Sequence, residues 1–379
     1  MRTARWSGEL TGAVADLGVF VPLAAALILV NGLHPAPLLA TAGALSLAAG
    51  LWFRVPFPVQ PLKALTALAV AQRLPAETIH AAGLLIGVIL LVVGSSGLAD
   101  RVAAWFTKPV IRSLQLAVGA LLVRAAYRLA AEPPEVFAAA GGDRLLLAAI
   151  ATALVVAVAA WRRRYAAVLL LLAAGVGMAW VAGAPAVVTP AVSGWSPGLP
   201  SPAVWGSAFV LLVVPQLPLT YGNAVVGMAD LARERFPQAH RVRAGAVAVS
   251  CGLGNVAAAL VGGMPMCHGS SGFTAHVRLG ARTAAMNVLL GGTLLGLGLL
   301  LPGQVLALFA LLPVWALAGM LAYAGARHAM LVLDLRGRTL AVAVAAAAVG
   351  TATGNLALTT ALALGAEWLP RLRARLLPA

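Results

Sequence analysis

Apolar runs of about 18–22 residues recur along the whole chain, each long enough to cross a bilayer core. They place spans at 9–30, 36–53, 77–96, 109–126, 144–161, 166–183, 204–224, 242–262, 284–301, 304–325, 338–353 and 355–369. Two stretches break the pattern. Val55–Thr66 reads VPFPVQPLKALT, and Gly263–Thr274 reads GMPMCHGSSGFT. Proline lacks the N–H that a helix interior needs and clashes with the preceding turn, so neither stretch can be one smooth helix. Each predicts an extended approach followed by a half-helix, at 61–72 and 269–280, with Pro61 suited to the first helical position.

Counted in order, the half-helices are the third and tenth of about fourteen elements. They fall at the third place of two seven-element halves, residues 1–182 and 204–379, joined by a polar connection, 183–203, that carries Trp195 beside Trp180 and Trp205. An odd number of spans per half inverts the second half relative to the first. The expected fold is an all-α polytopic membrane protein built as a seven-plus-seven inverted repeat. Paired broken segments at matching places are the sequence pointer to a transporter's binding site.

Composition agrees: the chain is 61% hydrophobic and only 10% charged. The net charge of +15 would suit nucleic acid, but its distribution sets membrane orientation instead. With the N-terminus cytoplasmic, 21 of the 26 Lys and Arg residues lie on the cytoplasmic side. Arg73, Arg124, Arg128 and Arg144 lie outside, and Lys63 lies within the membrane. Both termini are then cytoplasmic, as in a multi-pass protein of the cell (inner) membrane, with the lipid bilayer as partner. Asp100–Arg112 reads as an amphipathic segment on the cytoplasmic surface. The first span reads as retained rather than as a cleaved leader. Cys251 and Cys267 lack metal spacing and read as free thiols within helices.

The chemistry concentrates at the two breaks. A helix N-terminus carries about half a positive charge and unpaired N–H donors. Two such ends facing each other, with Lys63 in the first turn of one, sum to about +2, which matches a divalent oxyanion. Gln60, His268, Ser270 and Ser271 add donors without fixed negative charge, and Gly269 and Gly272 let backbone approach a ligand. In the eighth element, Pro215 and Pro218 kink the helix while Gln216, Thr220 and Asn223 offer a neutral polar face. Bland readings stand beside these. Lys63 either contacts the substrate or pairs with Asp16, and His268 is either a donor or a packing residue. Asp16 itself is a proton carrier, a partner for Lys63 or a cap. No nucleophile, acid–base pair or metal cluster accompanies them, so neither an enzyme nor a cofactor is expected.

VADLGVFVPL, PFPVQPLKALTA, PQLPLTYGNAV and GGMPMCHGSSGFTAHVRLGART together resemble signature segments of the prokaryotic and plant molybdate transporter family, related to the sulfate permease superfamily. The chain departs from the family pattern at Val19, where threonine follows DLG, and after CHG. The resemblance implies core and gate domains, from elements 1–4 with 8–11 and 5–7 with 12–14, and an elevator-like or rocking exchange between them. It also implies molybdate as substrate and a homodimer through the gate; tungstate, a tetrahedral dianion of nearly the same size, is expected to be accepted too. The implied substrate site is Gln60, Pro61, Lys63, Gln216, Asn223, His268 and Gly269–Gly272, with Asp16 as coupling residue. Sulfate or another small oxyanion, or uncoupled anion conduction, is the alternative.

Overall fold

The computed structural model describes residues 2–15, 17–133, 150, 153–154, 197–310 and 314–376. The expected spans 144–161 and 166–183, most of the 183–203 connection with Trp180 and Trp195, and Asp16 lie outside the described residues.

The first apolar stretch is two helices, α1 (Arg2–Val14) and α2 (Leu17–Asn31), with a turn at Ala15. Next come α3 (Pro35–Phe53), the two-residue strand β1 (Gln60–Pro61), α4 (Lys63–Ala71), α5 (Ala76–Ser95), α6 (Ala99–Ala103) and α7 (Lys108–Ala131). The second half contains α8 (Pro202–Arg235), α9 (Ala244–Val261), β2 (Met266–Cys267) and α10 (Ser270–Arg278). It continues with α11 (Ala285–Leu300), α12 (Val305–Ala310), α13 (Val314–Ala329), α14 (Gly337–Thr353) and α15 (Leu356–Leu376). Seven helical stretches among the described residues are long and apolar enough to cross a membrane. α11 and α14 are shorter apolar helices.

Three close helix pairs tie the halves together: α3 with α11, α5 with α9, and α7 with α13. In the repeat expected from the sequence, the second and fourth elements of one half match the ninth and eleventh of the other. The pairs α3–α11 and α5–α9 therefore exchange under the repeat, and α7–α13 maps onto itself. Small residues permit the approach, as expected where lipid supplies no hydrophobic drive between helices. A methyl at Gly43 would stand 2.6 Å from Gly291 O, one at Gly252 2.9 Å from Gly87 O, and one at Gly325 2.7 Å from Gly119 O. Leu51, Trp52, Val88, Val288 and Leu299 face outward, as a lipid-facing surface allows.

Four details differ from expectation. α4 begins at Lys63 with Leu62 as its cap, so Pro61 lies in β1 rather than at the first helical position. α8 runs to Arg235, well past the expected end at 224, because its last turns are charged and tied by an Asp230–Arg233 pair at 2.8 Å. It absorbs Pro215 and Pro218 through two π-helical turns, Ala208–Val213 and Thr220–Val226. There the ladder steps by five, as in Val214 N–H to Phe209 O and Gly227 N–H to Gly222 O. The segment expected to lie along the surface divides: α6 ends at Ala103, and Lys108 and Arg112 already belong to the spanning helix α7, both bonded to Asp334. Finally, Cys251 lies in a helix but Cys267 in a strand; both are buried, and neither forms a disulfide.

Candidate functional site: two opposed helix starts

β1 and β2 pair antiparallel, Gln60 with Cys267 and Pro61 with Met266. Leu62 N–H donates to Pro265 O at 3.0 Å. Each strand leads within three residues into a half-helix of nine residues, about 13 Å long and far short of a bilayer core. An antiparallel pair sends its two chains away in opposite directions. The starts of α4 and α10 are therefore held side by side, pointing at one another.

Two asparagines fasten the extended approaches. Asn287 on α11 accepts from Phe57 N–H at 2.8 Å and donates to Phe57 O at 2.6 Å. Asn255 on α9 accepts from Met266 N–H at 2.7 Å and donates to Met266 O at 2.8 Å. Each amide supplies the two bonds that a neighbouring strand would have made, which matters where no water can satisfy backbone groups. A methyl at Gly50 would collide with Asn287 Cβ, so only glycine leaves room for that clamp. Neither asparagine was among the residues expected from the sequence; the available signal was a lone amide in an otherwise apolar span.

Lys63, in the first turn of α4, donates from Nζ to Gln60 Oε1 at 2.9 Å and to Ser271 Oγ at 3.1 Å in the first turn of α10. Asn223, on the second π turn of α8, accepts from the Ser270 hydroxyl. At the centre is Gly269. A methyl there would stand 3.0 Å from Gln60 Oε1 and 3.7 Å from both Asn223 Nδ2 and Lys63 Nζ. Three polar side chains thus converge on a space that only glycine leaves open. Lys63 is half-buried and Ser271 exposed, so the cradle reaches solvent.

The remaining expected residues lie around this cradle with their polar atoms engaged by protein. Gln216 accepts from Leu65 N–H at 3.0 Å, capping α4 from a neighbouring helix, and donates to Thr220 Oγ1 at 3.0 Å. His268 is fully buried, with Nδ1 2.8 Å from Pro58 O and Nε2 2.9 Å from Ser250 Oγ. A carbonyl can only accept, so Nδ1 carries the proton and Nε2 accepts from the serine. The ring stands edge-on to Phe57, their centroids 4.7 Å apart. Gly272 N–H turns back to Gly269 O at 3.0 Å. Pro61 is buried in the strand pair. The N–H groups of Lys63 and Ala64, and of Ser270 and Ser271, come first in their helices and have no intrahelical carbonyl to meet.

Helical pairs crossing between inverted halves, with two half-helices meeting head-on, define a multi-pass integral membrane protein of the transporter class. Its architecture is shared with the transmembrane domain of a cyanobacterium bicarbonate transporter, BicA, at a TM-score of 0.68 and 16% identity over 94% of this chain and 97% of that one. SLC26A9 superposes at 0.65 and 13% identity over 97% of this chain and 66% of its own. A sequence profile described as "Molybdate transporter of MFS superfamily" matches residues 8–122 and 208–327. Molybdate transporter 1 of Arabidopsis thaliana is 31% identical over 366 residues, covering 86% of this chain and 80% of that protein. Molybdate transporter 2 of the same plant is 29% identical over 318 residues, covering 73% and 68%. The chain belongs to the molybdate transporter family.

Proposed function

We propose that this chain imports molybdate, and tungstate by virtue of its nearly equal size, by secondary active transport. The dianion is held between the starts of α4 and α10. The observation that carries this reading is the convergence of Gln60, Lys63 and Asn223 on the space beside Gly269. Two helix N-termini at about half a charge each, plus the Lys63 ammonium, sum to about +2. Lys63, Ser271, Asn223 and the first N–H groups of both helices are the direct ligands. Gln60 orients the ammonium; Gln216 and His268 position the helix starts without touching the anion; Pro61 and Gly272 shape the backbone.

In this reading residues 1–182 and 204–379 are the two repeats. Elements 1–4 and 8–11 form a core that carries the anion past a gate of elements 5–7 and 12–14. Asp16 is the coupling residue, both termini are cytoplasmic, and two copies associate through the gate in the inner membrane. Relatives named as molybdate transporters along most of the chain support the choice of dianion.

Calorimetry on purified protein with molybdate, tungstate, sulfate and phosphate tests the reading. Saturable molybdate and tungstate binding, with sulfate in large excess competing poorly, is the expected result. Equal competition by sulfate would transfer the assignment to a general oxyanion carrier. Molybdate uptake into liposomes that ignores every imposed ion gradient would instead indicate uncoupled conduction.

A further inference from the structure

Only four basic residues fall on the sparse side of the membrane by charge distribution, and three of them, Arg73, Arg124 and Arg128, line one cavity. It has a volume of about 580 Å³ and opens between α2 and α4 on one flank and α7 and α13 on the other. Its walls are apolar, with Ala25, Leu29, Val70 and Leu321 among them, and its polar lining is those three arginines and Glu132. Arg124 and Arg128 are four apart on α7 and so share a face, and Glu132 is the cap that ends the helix. All four side chains are exposed, and among the described residues none of the three guanidinium groups makes an ion pair or hydrogen bond. Arg73 is fixed in place: its backbone is left-handed at φ 52°, and Asn31 Nδ2 bonds both Ala69 O and Leu74 O around it at 2.8 Å.

Three guanidinium groups against one carboxylate leave two positive charges at the mouth of an apolar cavity. Low-dielectric walls focus such a field and raise the local concentration of a matching anion. Guanidinium forks also suit the oxygens of a tetrahedral oxyanion. The cavity lies at the far end of the half-helix that begins with Lys63, and Arg73 is ten residues, about 15 Å of helix, from that lysine.

We propose that this cavity is a second, transient oxyanion site, an antechamber that collects the dianion before it passes along α4 to the cradle at Gly269. The proposal rests on the transport reading above. A lipid phosphate has the same chemistry as a free oxyanion, and the test separates the two.

Uptake of molybdate is measured in liposomes holding wild type or the triple variant Arg73→Gln, Arg124→Gln, Arg128→Gln, at low and high salt. One set of vesicles is pure phosphatidylcholine and another contains phosphatidylglycerol. The triple variant is expected to need about tenfold more molybdate for half-maximal uptake at an unchanged maximal rate, and to lose the salt dependence of wild type. Glu132→Gln should shift half-saturation the opposite way, and Arg124→Lys with Arg128→Lys should keep the salt dependence of wild type. Calorimetric molybdate affinity, which reports the cradle, should stay within about twofold because the sites are well separated. Wild-type uptake matched by the triple variant would overturn the antechamber alone. A difference confined to phosphatidylglycerol vesicles would assign the arginines to a lipid headgroup and also overturn it. Wild-type vesicles that take up no molybdate would defeat the transport reading and the antechamber with it.

Discussion

Lys63 Nζ donates to Ser271 Oγ at 3.1 Å, joining residues 208 positions apart in the chain. The ammonium of one half-helix is thereby held against the first turn of the other. An ion placed between the two helix starts meets both dipoles and this charge together.

Lys63→Ala should therefore abolish high-affinity oxyanion binding while leaving the protein folded. Losing one member of a hydrogen-bonded charge pair costs about 2 kcal/mol, roughly thirtyfold in affinity. Calorimetry against molybdate, with a melting curve as control, measures it. Normal affinity in the mutant would remove the charge argument.

Gly269→Ala should weaken binding strongly with little change in stability, because its methyl fills the space onto which Gln60, Lys63 and Asn223 converge. Gly292 and Gly296 on α11 serve as controls, since a methyl added at either would meet nothing within 4 Å. Alanine at either should leave binding alone and stabilise the helix by about 0.5–1 kcal/mol. Equal affinities for all three variants would place the ligand elsewhere.

Asn287→Leu should destabilise the protein by several kcal/mol at most, since a buried backbone group without a partner costs about 1–3 kcal/mol and Phe57 loses both of its partners on Asn287. The drop should appear in thermal unfolding. Restoring full stability with bound molybdate would show the clamp acts only on the site.

His34, in the connection before α3, accepts from Ala36 N–H at Nδ1 and is shifted below the ordinary histidine value by burial. A group whose folded-state value is lowered contributes stability above its unfolded value of 6.5, and that contribution falls away as pH drops below it. Wild type should thus lose stability relative to His34→Asn on acidification from above pH 6.5, because asparagine caps a helix at any pH. Parallel melting curves for the two proteins across that window would show the cap contributes nothing.

What the sequence disclosed was local. Three prolines within Val55–Thr66 announce a break on their own, and a lysine two residues after the last of them in an apolar chain marks the candidate site. The strand position of Pro61 was hidden because a two-residue strand has no periodicity to read, and its partner Met266 is far away in the sequence. The roles of Asn255, Asn287 and Gln216 were illegible for a related reason: each amide serves a backbone group on another element. The full length of α8 was hidden because its charged last turns resemble a loop. Asp16, the expected coupling residue, lies outside the described residues.

The ladder between β1 and β2 limits how the cradle can be opened. Prising the two helix starts apart would sever the Leu62–Pro265 bond and strand the Lys63–Ser271 contact. A displacement that carries both starts as a single block breaks neither. Any movement that keeps these bonds must carry the seam through Gln60 and Cys267 as one piece.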